Sequence, residues 1–222
     1  SKTQSKPNRS HVRILLVDDH SMVREGLTGF LSKQPDLVVC GEAEDAPEAM
    51  RQVIEKRPQL AISDISLQSG NGIELVKQIH AQNERVKILV LSMHDESLFA
   101  ERAVRAGALG YLNKQHSRDK ILDAIRCVLD GKVYLSEDMK ERMLSRSLGK
   151  DDARSPIETL SDRELQVYEL IGQGSTIREI ASRLQLSPKT VETYRENVKT
   201  KLDIDNSNEL IRHAAQWVMD QA

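Results

Sequence analysis

The chain has 222 residues, of which 39% are hydrophobic and 30% are charged. This balance suits one or two soluble domains with buried cores and argues against disorder throughout. The 32 basic and 34 acidic residues give a formal net charge of −2, which argues against a protein that coats nucleic acid nonspecifically. No apolar run approaches the roughly 20 residues of a membrane span, and the polar start is unlike a signal peptide, so we expect a cytoplasmic protein. Cys40 and Cys127 lack ligand-like spacing and are predicted to be packed thiols rather than a disulfide or a zinc site.

Residues 1–10 are polar and are predicted to form a disordered tail. From residue 11 onward, short β-branched runs alternate with helical periods, which is typical of a parallel sheet with crossover helices. The predicted strands are 12–17, 37–40, 60–63, 86–91 and 108–112, and the predicted helices are 21–32, 46–56, 72–81, 96–106 and 117–129. Residues 11–131 therefore predict one doubly wound, flavodoxin-like α/β domain with a five-stranded parallel sheet. In such sheets, ligands bind at the carboxyl ends of the strands.

The pattern loosens over residues 132–156, for which we predict a partly helical linker. Ser136 is a candidate cap for an amphipathic helix that runs to Arg146, and residues 149–156 are polar and broken by Gly and Pro. Residues 157–222 contain helical periods and no strand pattern, so the predicted fold class is α/β followed by an all-α, four-helix domain. The predicted helix caps are Ser161, Ser175, Ser187 and either Asn206 or Ser207, with helix ends near residues 171, 184, 202 and 219. Two of these helices, joined by a short turn, suggest a helix-turn-helix.

Three carboxylates follow predicted strands: Asp18 and Asp19 follow the first strand, and Asp64 follows the third. These strands are neighbours in the expected topology, so the side chains should converge on one cleft. Two negative charges about 5 Å apart repel by roughly 3 kcal/mol at an effective dielectric constant near 20, so a third carboxylate requires a cation. Oxygen ligands that leave room for water suit Mg²⁺.

Ser92 follows the fourth strand and Lys114 follows the fifth, which adds a hydroxyl donor and a compact positive charge to the same edge. The set fits an incoming phosphoryl group that is attacked by an aspartate. Asp64 is the best candidate nucleophile because it stands alone, which leaves the adjacent pair for metal. The alternative is that such acidic residues merely solubilise loops, an account that fits one position better than all five together.

The motifs around these residues resemble those of receiver domains in two-component response regulators. They are Ile14-Leu15-Leu16-Val17-Asp18-Asp19-His20, Ser63-Asp64-Ile65-Ser66-Leu67, Val90-Leu91-Ser92 and Gly110-Tyr111-Leu112-Asn113-Lys114. The resemblance covers residues 11–131.

The resemblance to receiver domains implies a role for each residue of the cleft. By that likeness, a histidine kinase phosphorylates Asp64. Asp18, Asp19, Asp64 and the main-chain carbonyl of Ser66 bind Mg²⁺, while Ser92 and Lys114 sense the phosphoryl group. Tyr111 falls on the switch aromatic of the family, although a strand aromatic packed on a helix would look the same. Gln68 and Gln115 replace prolines that are common in the family, and both changes could alter loop rigidity.

The C-terminal segment resembles a LuxR-type helix-turn-helix, and with the receiver it resembles a NarL/FixJ-class response regulator. The matching stretches are 160–164, 174–181, 186–194 and 201–202. The half of the chain from Gly131 onward has 14 basic and 16 acidic residues, which counts against DNA binding, but residues 175–201 carry six basic and three acidic residues. This local charge of +3 agrees with a DNA-binding helix, whereas an ordinary helical bundle with a solvated charged face is the alternative.

The predicted recognition helix begins at Ser187-Pro188, and its side chains divide into two groups. The candidates for contact with the DNA backbone are Lys189, Thr190, Tyr194, Arg195 and Lys199, and those for base edges are Glu192, Thr193 and Glu196. Glu192 and Glu196 either accept from cytosine or orient Arg195 and Lys199, and the sequence does not decide between these roles. The last helix has a wide apolar surface, which predicts a homodimer contact through Leu210, Ile211, Ala214, Trp217 and Val218.

The predicted function is therefore a phosphorylation-switched transcription regulator and not an enzyme. Phosphorylation would favour a dimer or free the DNA-binding helices, and the sequence leaves both open. One alternative is a phosphatase-like hydrolase with a covalent intermediate, but such enzymes carry an acid two residues after the nucleophile, where this chain has Ser66. A second alternative is a receiver that only binds proteins, attached to a vestigial DNA-binding domain.

Overall fold

The computed structural model describes residues 11–67, 70–149 and 154–221. The predicted disordered tail and Gln68 lie outside the described residues. Within the described part of the chain, no helix is long and apolar enough to cross a bilayer.

The N-terminal half forms a five-stranded parallel sheet covered by helices on both faces, as the sequence predicts. The strands are β1 (Val12–Val17), β2 (Leu37–Ala43), β3 (Leu60–Ser63), β4 (Lys87–Ser92) and β5 (Gly110–Asn113), in the order β2-β1-β3-β4-β5. The helices are α1 (Ser21–Leu31), α2 (Ala46–Lys56), α3 (Gly72–Gln82), α4 (Glu96–Ala106) and α5 (Arg118–Leu129). Because β1 and β3 are hydrogen-bonded neighbours, the residues that follow them meet at one edge of the sheet.

Alternate residues of β1 supply two separate cores. Leu15 and Val17 pack in the cluster beneath α2, α3 and α4, whereas Ile14 and Leu16 pack in the cluster beneath α1 and α5. Side chains of a strand point alternately to opposite faces, so a strand that is buried on both faces reads as a continuous apolar run. This is why the runs in the sequence locate the strands correctly.

The start of α3 lies directly against the loop that follows β3. Asn71 caps the helix, and the Gly72 amide donates to the carbonyl of Ile65 at 3.0 Å. A Cβ at position 72 would lie 2.3 Å from the Asp64 carbonyl oxygen, so only glycine permits this approach. The close packing fixes the backbone of the loop that carries Asp64.

The segment after α5 packs on the receiver-like domain. Tyr134 forms a parallel bridge with Gly110 at the free edge of β5, and Leu135 and Met139 are buried. Ser136 caps α6 (Glu137–Ser147), as predicted, by accepting from the Met139 amide. This segment therefore lies along β5 and α4 rather than apart from them.

All regular secondary structure among the described C-terminal residues is helical. A 3-10 helix (Pro156–Thr159) precedes α7 (Asp162–Gly172), α8 (Ile177–Leu184), α9 (Pro188–Leu202) and α10 (Ser207–Asp220). The predicted cap of α8 is wrong, because Thr176 rather than Ser175 caps it. Thr176 forms a capping box with Glu179, which satisfies two backbone amides at once. The last helix takes Asn206 as its cap.

The helical domain is held against the sheet domain through α7. Asp162 accepts from Lys77 of α3 and from Arg102 of α4, both at 2.9 Å. Arg102 also donates to the carbonyls of Glu158 and Leu160. One turn further along α7, Gln166 donates to the carbonyl of Gly70 at 2.8 Å. We call this set of interactions the domain contact, and it leaves the outer face of α9 exposed.

Candidate functional site

The structure brings the predicted acidic residues together with Lys114 in one cleft at the carboxyl edge of the sheet. The ammonium nitrogen of Lys114 lies 2.5 Å from Asp18 Oδ2 and 2.7 Å from Asp64 Oδ2. The side chains of Asp18, Asp64 and Lys114 are 6%, 4% and 8% exposed. A buried lysine thus links the ends of β1 and β3, and it neutralises part of their charge.

The pKa of Lys114 lies above its ordinary value. Burial alone would lower the pKa, but the negative charges of Asp64 and Asp18 and their hydrogen bonds outweigh that effect. The lysine is consequently a cation at neutral pH. Each carboxylate has a further donor, since the His20 amide donates to Asp18 Oδ1 and the Ile65 amide donates to Asp64 Oδ1.

The cleft includes His20, a residue to which the sequence pattern assigns no role. The ring nitrogen Nδ1 of His20 lies 3.2 Å from Asp18 Oδ1 and 2.7 Å from Asp19 Oδ1. The Asp19 oxygen is buried, and despite the short distance to His20 it makes no well-aligned hydrogen bond within the described residues. An anionic oxygen that is buried in this way requires a positive partner.

The donor set fits a divalent cation. One ligand atom from each of Asp18, Asp19, His20 and Asp64 lies within 4.8 Å of the others. The under-bonded oxygen of Asp19 and the two further carboxylates provide hard oxygen ligands, and each carboxylate oxygen can accept more than one partner. These residues therefore form a cluster that can hold a metal ion.

Ser92 and Tyr111 lie beside this cluster and are connected through His94. Ser92 is fully buried, and its hydroxyl accepts a long hydrogen bond of 3.4 Å from the His94 amide. The Tyr111 hydroxyl donates to the carbonyl of His94 at 2.8 Å, and its ring is buried. Burial raises the pKa of Tyr111 far above its ordinary value, so the phenol stays a neutral donor.

Helix α9 presents most of the predicted DNA-contacting residues at its surface. Lys189, Glu192, Thr193 and Glu196 are exposed, whereas Thr190, Tyr194, Arg195 and Lys199 are half-buried. Glu196 lies 2.9 Å from Lys199 Nζ and 3.4 Å from Arg195 Nε. This geometry agrees with Glu196 as the residue that orients the two cations, one of the two roles left open by the sequence.

The five residues predicted to form a dimer contact on α10 differ in their surroundings. Leu210 and Ala214 are fully buried where α10 packs on α7, so they do not lie on a free surface. Trp217 is half-buried and its ring lies 5.4 Å from that of Tyr168. Ile211 is 49% exposed. Much of the apolar surface of this helix therefore belongs to the core of its own domain.

The geometry and the fold together define a receiver domain joined to a helix-turn-helix domain. Residues 14–126 match the family described as the response regulator receiver domain. Residues 158–214 match the bacterial regulatory proteins of the luxR family. The chain belongs to the NarL/FixJ class of two-component response regulators, which are transcription regulators.

Individual relatives align along nearly the whole chain. The chain is 37% identical over 203 residues to the transcriptional regulatory protein LiaR of Bacillus subtilis, with 91% of this chain and 96% of LiaR covered. It is 34% identical over 206 residues to the response regulator UvrY of Escherichia coli, with 91% and 94% covered. A solved structure of the RcsB response regulator of Salmonella typhimurium superposes with a TM-score of 0.71 at 25% identity, covering 93% of this chain and 98% of RcsB.

Proposed function

We propose that Asp64 accepts a phosphoryl group with the aid of Mg²⁺, and that this event controls dimerisation and sequence-specific DNA binding. The receiver would comprise residues 11–131, the linker residues 132–156 and the DNA-binding domain residues 157–222. The proposed metal ligands are Asp18, Asp19, Asp64 and the Ser66 carbonyl. The observation that carries the proposal is the bridge from Lys114 to Asp18 and Asp64 beside the fully buried Ser92.

The chemistry is a transfer in which an Asp64 carboxylate oxygen attacks phosphorus. An O–P bond forms, the P–N bond of a phosphohistidine on a partner kinase breaks, and the histidine nitrogen is the leaving group. Lys114 would pair with the oxygens of the transferred group, and the Ser92 hydroxyl would donate to one of them. Bound Mg²⁺ would supply the additional positive charge that lets an anionic donor approach three carboxylates.

The proposed partners of the second domain are duplex DNA and a second copy of the chain. Lys189, Thr190, Tyr194, Arg195 and Lys199 would contact the backbone. Glu192, Thr193 and Glu196 would lie near base edges. The related RcsB response regulator of Salmonella typhimurium interacts with DNA, which supports the assignment. Since the target would be the bacterial chromosome, we place the protein in the cytoplasm.

Of the proposed dimer face, the exposed Ile211 is the member best placed to meet a second copy, while Leu210 and Ala214 serve the core.

The acceptor assignment is tested by Asp64→Asn. Acetyl phosphate with Mg²⁺ should form an acid-stable, base-labile acyl phosphate on the native chain and raise its affinity for promoter DNA, and the substitution should abolish both effects. Intact-protein mass spectrometry and a DNA mobility-shift assay measure them. Asp45→Asn is the matched control, because asparagine caps α2 as well as aspartate does. An undiminished acyl phosphate in the Asp64 variant would exclude this residue as acceptor.

DNA-backbone contact is tested by the salt dependence of binding. About four phosphate contacts per subunit should give a slope near −3.6 in a plot of log affinity against log salt concentration. Lys189→Ala should weaken binding to all duplexes and reduce the magnitude of that slope by about 1. Lys140→Ala on α6, an exposed lysine outside the helical domain, is the control. An unchanged slope in the Lys189 variant would contradict the proposed orientation of α9.

A further inference from the structure

His94 lies between the cleft that contains Asp64 and the helical domain, and it contacts both. Its backbone contacts both proposed switch residues, because the amide donates to Ser92 Oγ and the carbonyl accepts from Tyr111. Its ring nitrogen Nε2 lies 2.7 Å from the hydroxyl of Ser66, two residues after Asp64. Movement of Ser92 toward a phosphoryl group would therefore displace the backbone of His94 and with it the imidazole ring.

The same imidazole faces a carboxylate of the other domain. Glu169 of α7 lies 3.6 Å from His94 Nε2, and the two side chains are 17% and 13% exposed. Ser66 and Glu169 also line one cavity of about 40 Å³ between the domains. A space of this size is large enough to hold bridging water. A continuous polar route thus runs from the Asp64 loop to α7.

The charge at Asp64 affects the Glu169 carboxyl group electrostatically. The pKa of Glu169 lies above its ordinary value, mainly because the side chain is buried. The charges of His94 and Arg183 oppose this shift, and the negative charge of Asp64 adds to it. Phosphorylation would replace the −1 carboxylate of Asp64 with an acyl phosphate of about −1.5 to −2 charges, a net gain of about −0.5 to −1. This added negative charge repels the Glu169 carboxylate, because both side chains are largely shielded from water.

We propose that Glu169 is the positioning residue through which the DNA-binding domain senses the phosphorylation site, by way of His94 and Ser66. The inference rests on Asp64 being the phosphorylated residue. Phosphoryl addition weakens the attachment of α7 at Glu169, and the coupling is reciprocal, so that release of α7 favours the phosphorylated state of Asp64. The interactions of the domain contact supply affinity between the domains, whereas Glu169 makes that affinity depend on phosphorylation.

The test measures the equilibrium for docking of the helical domain on the sheet domain, in the unphosphorylated and in the phosphorylated full chain. The single tryptophan, Trp217, belongs to the helical domain, so its time-resolved fluorescence anisotropy reports whether that domain rotates independently. In the native chain, acetyl phosphate with Mg²⁺ should lower the docking equilibrium constant about fivefold, the lower end of the range for coupled sites. Glu169→Gln, which keeps the shape and removes the charge, should reduce that change to less than twofold. His94→Ala should do the same, with no further loss in the double variant.

Asp162→Asn is the matched control on the same helix. It removes a partner of Lys77 and Arg102, so it should weaken docking in both states and preserve the fivefold ratio between them. An unchanged ratio in the Glu169 variant would overturn the inference, as would a native chain that is phosphorylated on Asp64 without any change in docking. Mass spectrometry of the same samples separates these results from failure of the proposed function, in which the native chain would carry no acyl phosphate on Asp64.

Discussion

In the presence of EDTA, Lys114→Met should lower the free energy of unfolding by about 3 kcal/mol, and Mg²⁺ should restore a large part of the loss. The substitution removes the cation that lies between Asp18 and Asp64. Loss of one partner of a buried ion pair usually costs about 3 to 5 kcal/mol, since the other charge remains buried without compensation. We expect the lower end because backbone amides still donate to both carboxylates.

Urea unfolding followed by far-ultraviolet circular dichroism measures this effect with and without Mg²⁺. Lys120→Met on α5 is the control, because Lys120 is exposed and should be neutral in both conditions. Adding Asp64→Asn to the Lys114 variant should recover stability in EDTA, since only one of the two bridged carboxylates then remains. A loss of equal size with and without Mg²⁺ would contradict the proposed metal site.

The sequence was sufficient to locate the cleft because the relevant information is local. Each parallel strand is a continuous apolar run, and residues such as Asp18, Asp64 and Ser92 stand directly after one. Once the strands are assigned, the topology of a doubly wound sheet brings their carboxyl ends to one edge. The helix caps follow equally local rules, and the one error, Ser175 instead of Thr176, lies between two neighbouring hydroxyl residues. Glu179 three residues after Thr176 is the capping-box signal that identifies the correct cap.

Contacts between distant segments were not predictable in this way. His94 follows β4 by two residues, yet its role depends on Ser66 and on Glu169, which approach it only in the folded chain. The apolar surface of α10 shows the same limit, because the sequence pattern does not reveal that Leu210 and Ala214 pack on α7. A helical period identifies which residues share a face, and the tertiary structure decides what that face meets.

Arg102→Ala should shift the docking equilibrium of the two domains toward the undocked state by roughly a hundredfold, equivalent to about 3 kcal/mol. Arg102 is 15% exposed and donates to Asp162 and to the carbonyls of Glu158 and Leu160. Hydrogen bonds of charged groups each contribute about 1.5 to 3 kcal/mol, but water replaces part of them when the domains separate, so the net loss is smaller than their sum. No other residue in the described part of the domain contact has three hydrogen bonds to the second domain.

The Arg102 variant should release the helical domain from the sheet domain, with both domains still folded. Trp217 anisotropy should report faster rotation of the helical domain, and thermal unfolding should separate into two transitions because each domain then melts independently. Arg105→Ala is the control: it lies on the same helix, is 65% exposed and pairs with Glu101 of its own helix. An exposed pair of this kind contributes at most about 1 kcal/mol, so docking should be unchanged. A single cooperative transition and native rotation in the Arg102 variant would show that apolar packing alone holds the domains together.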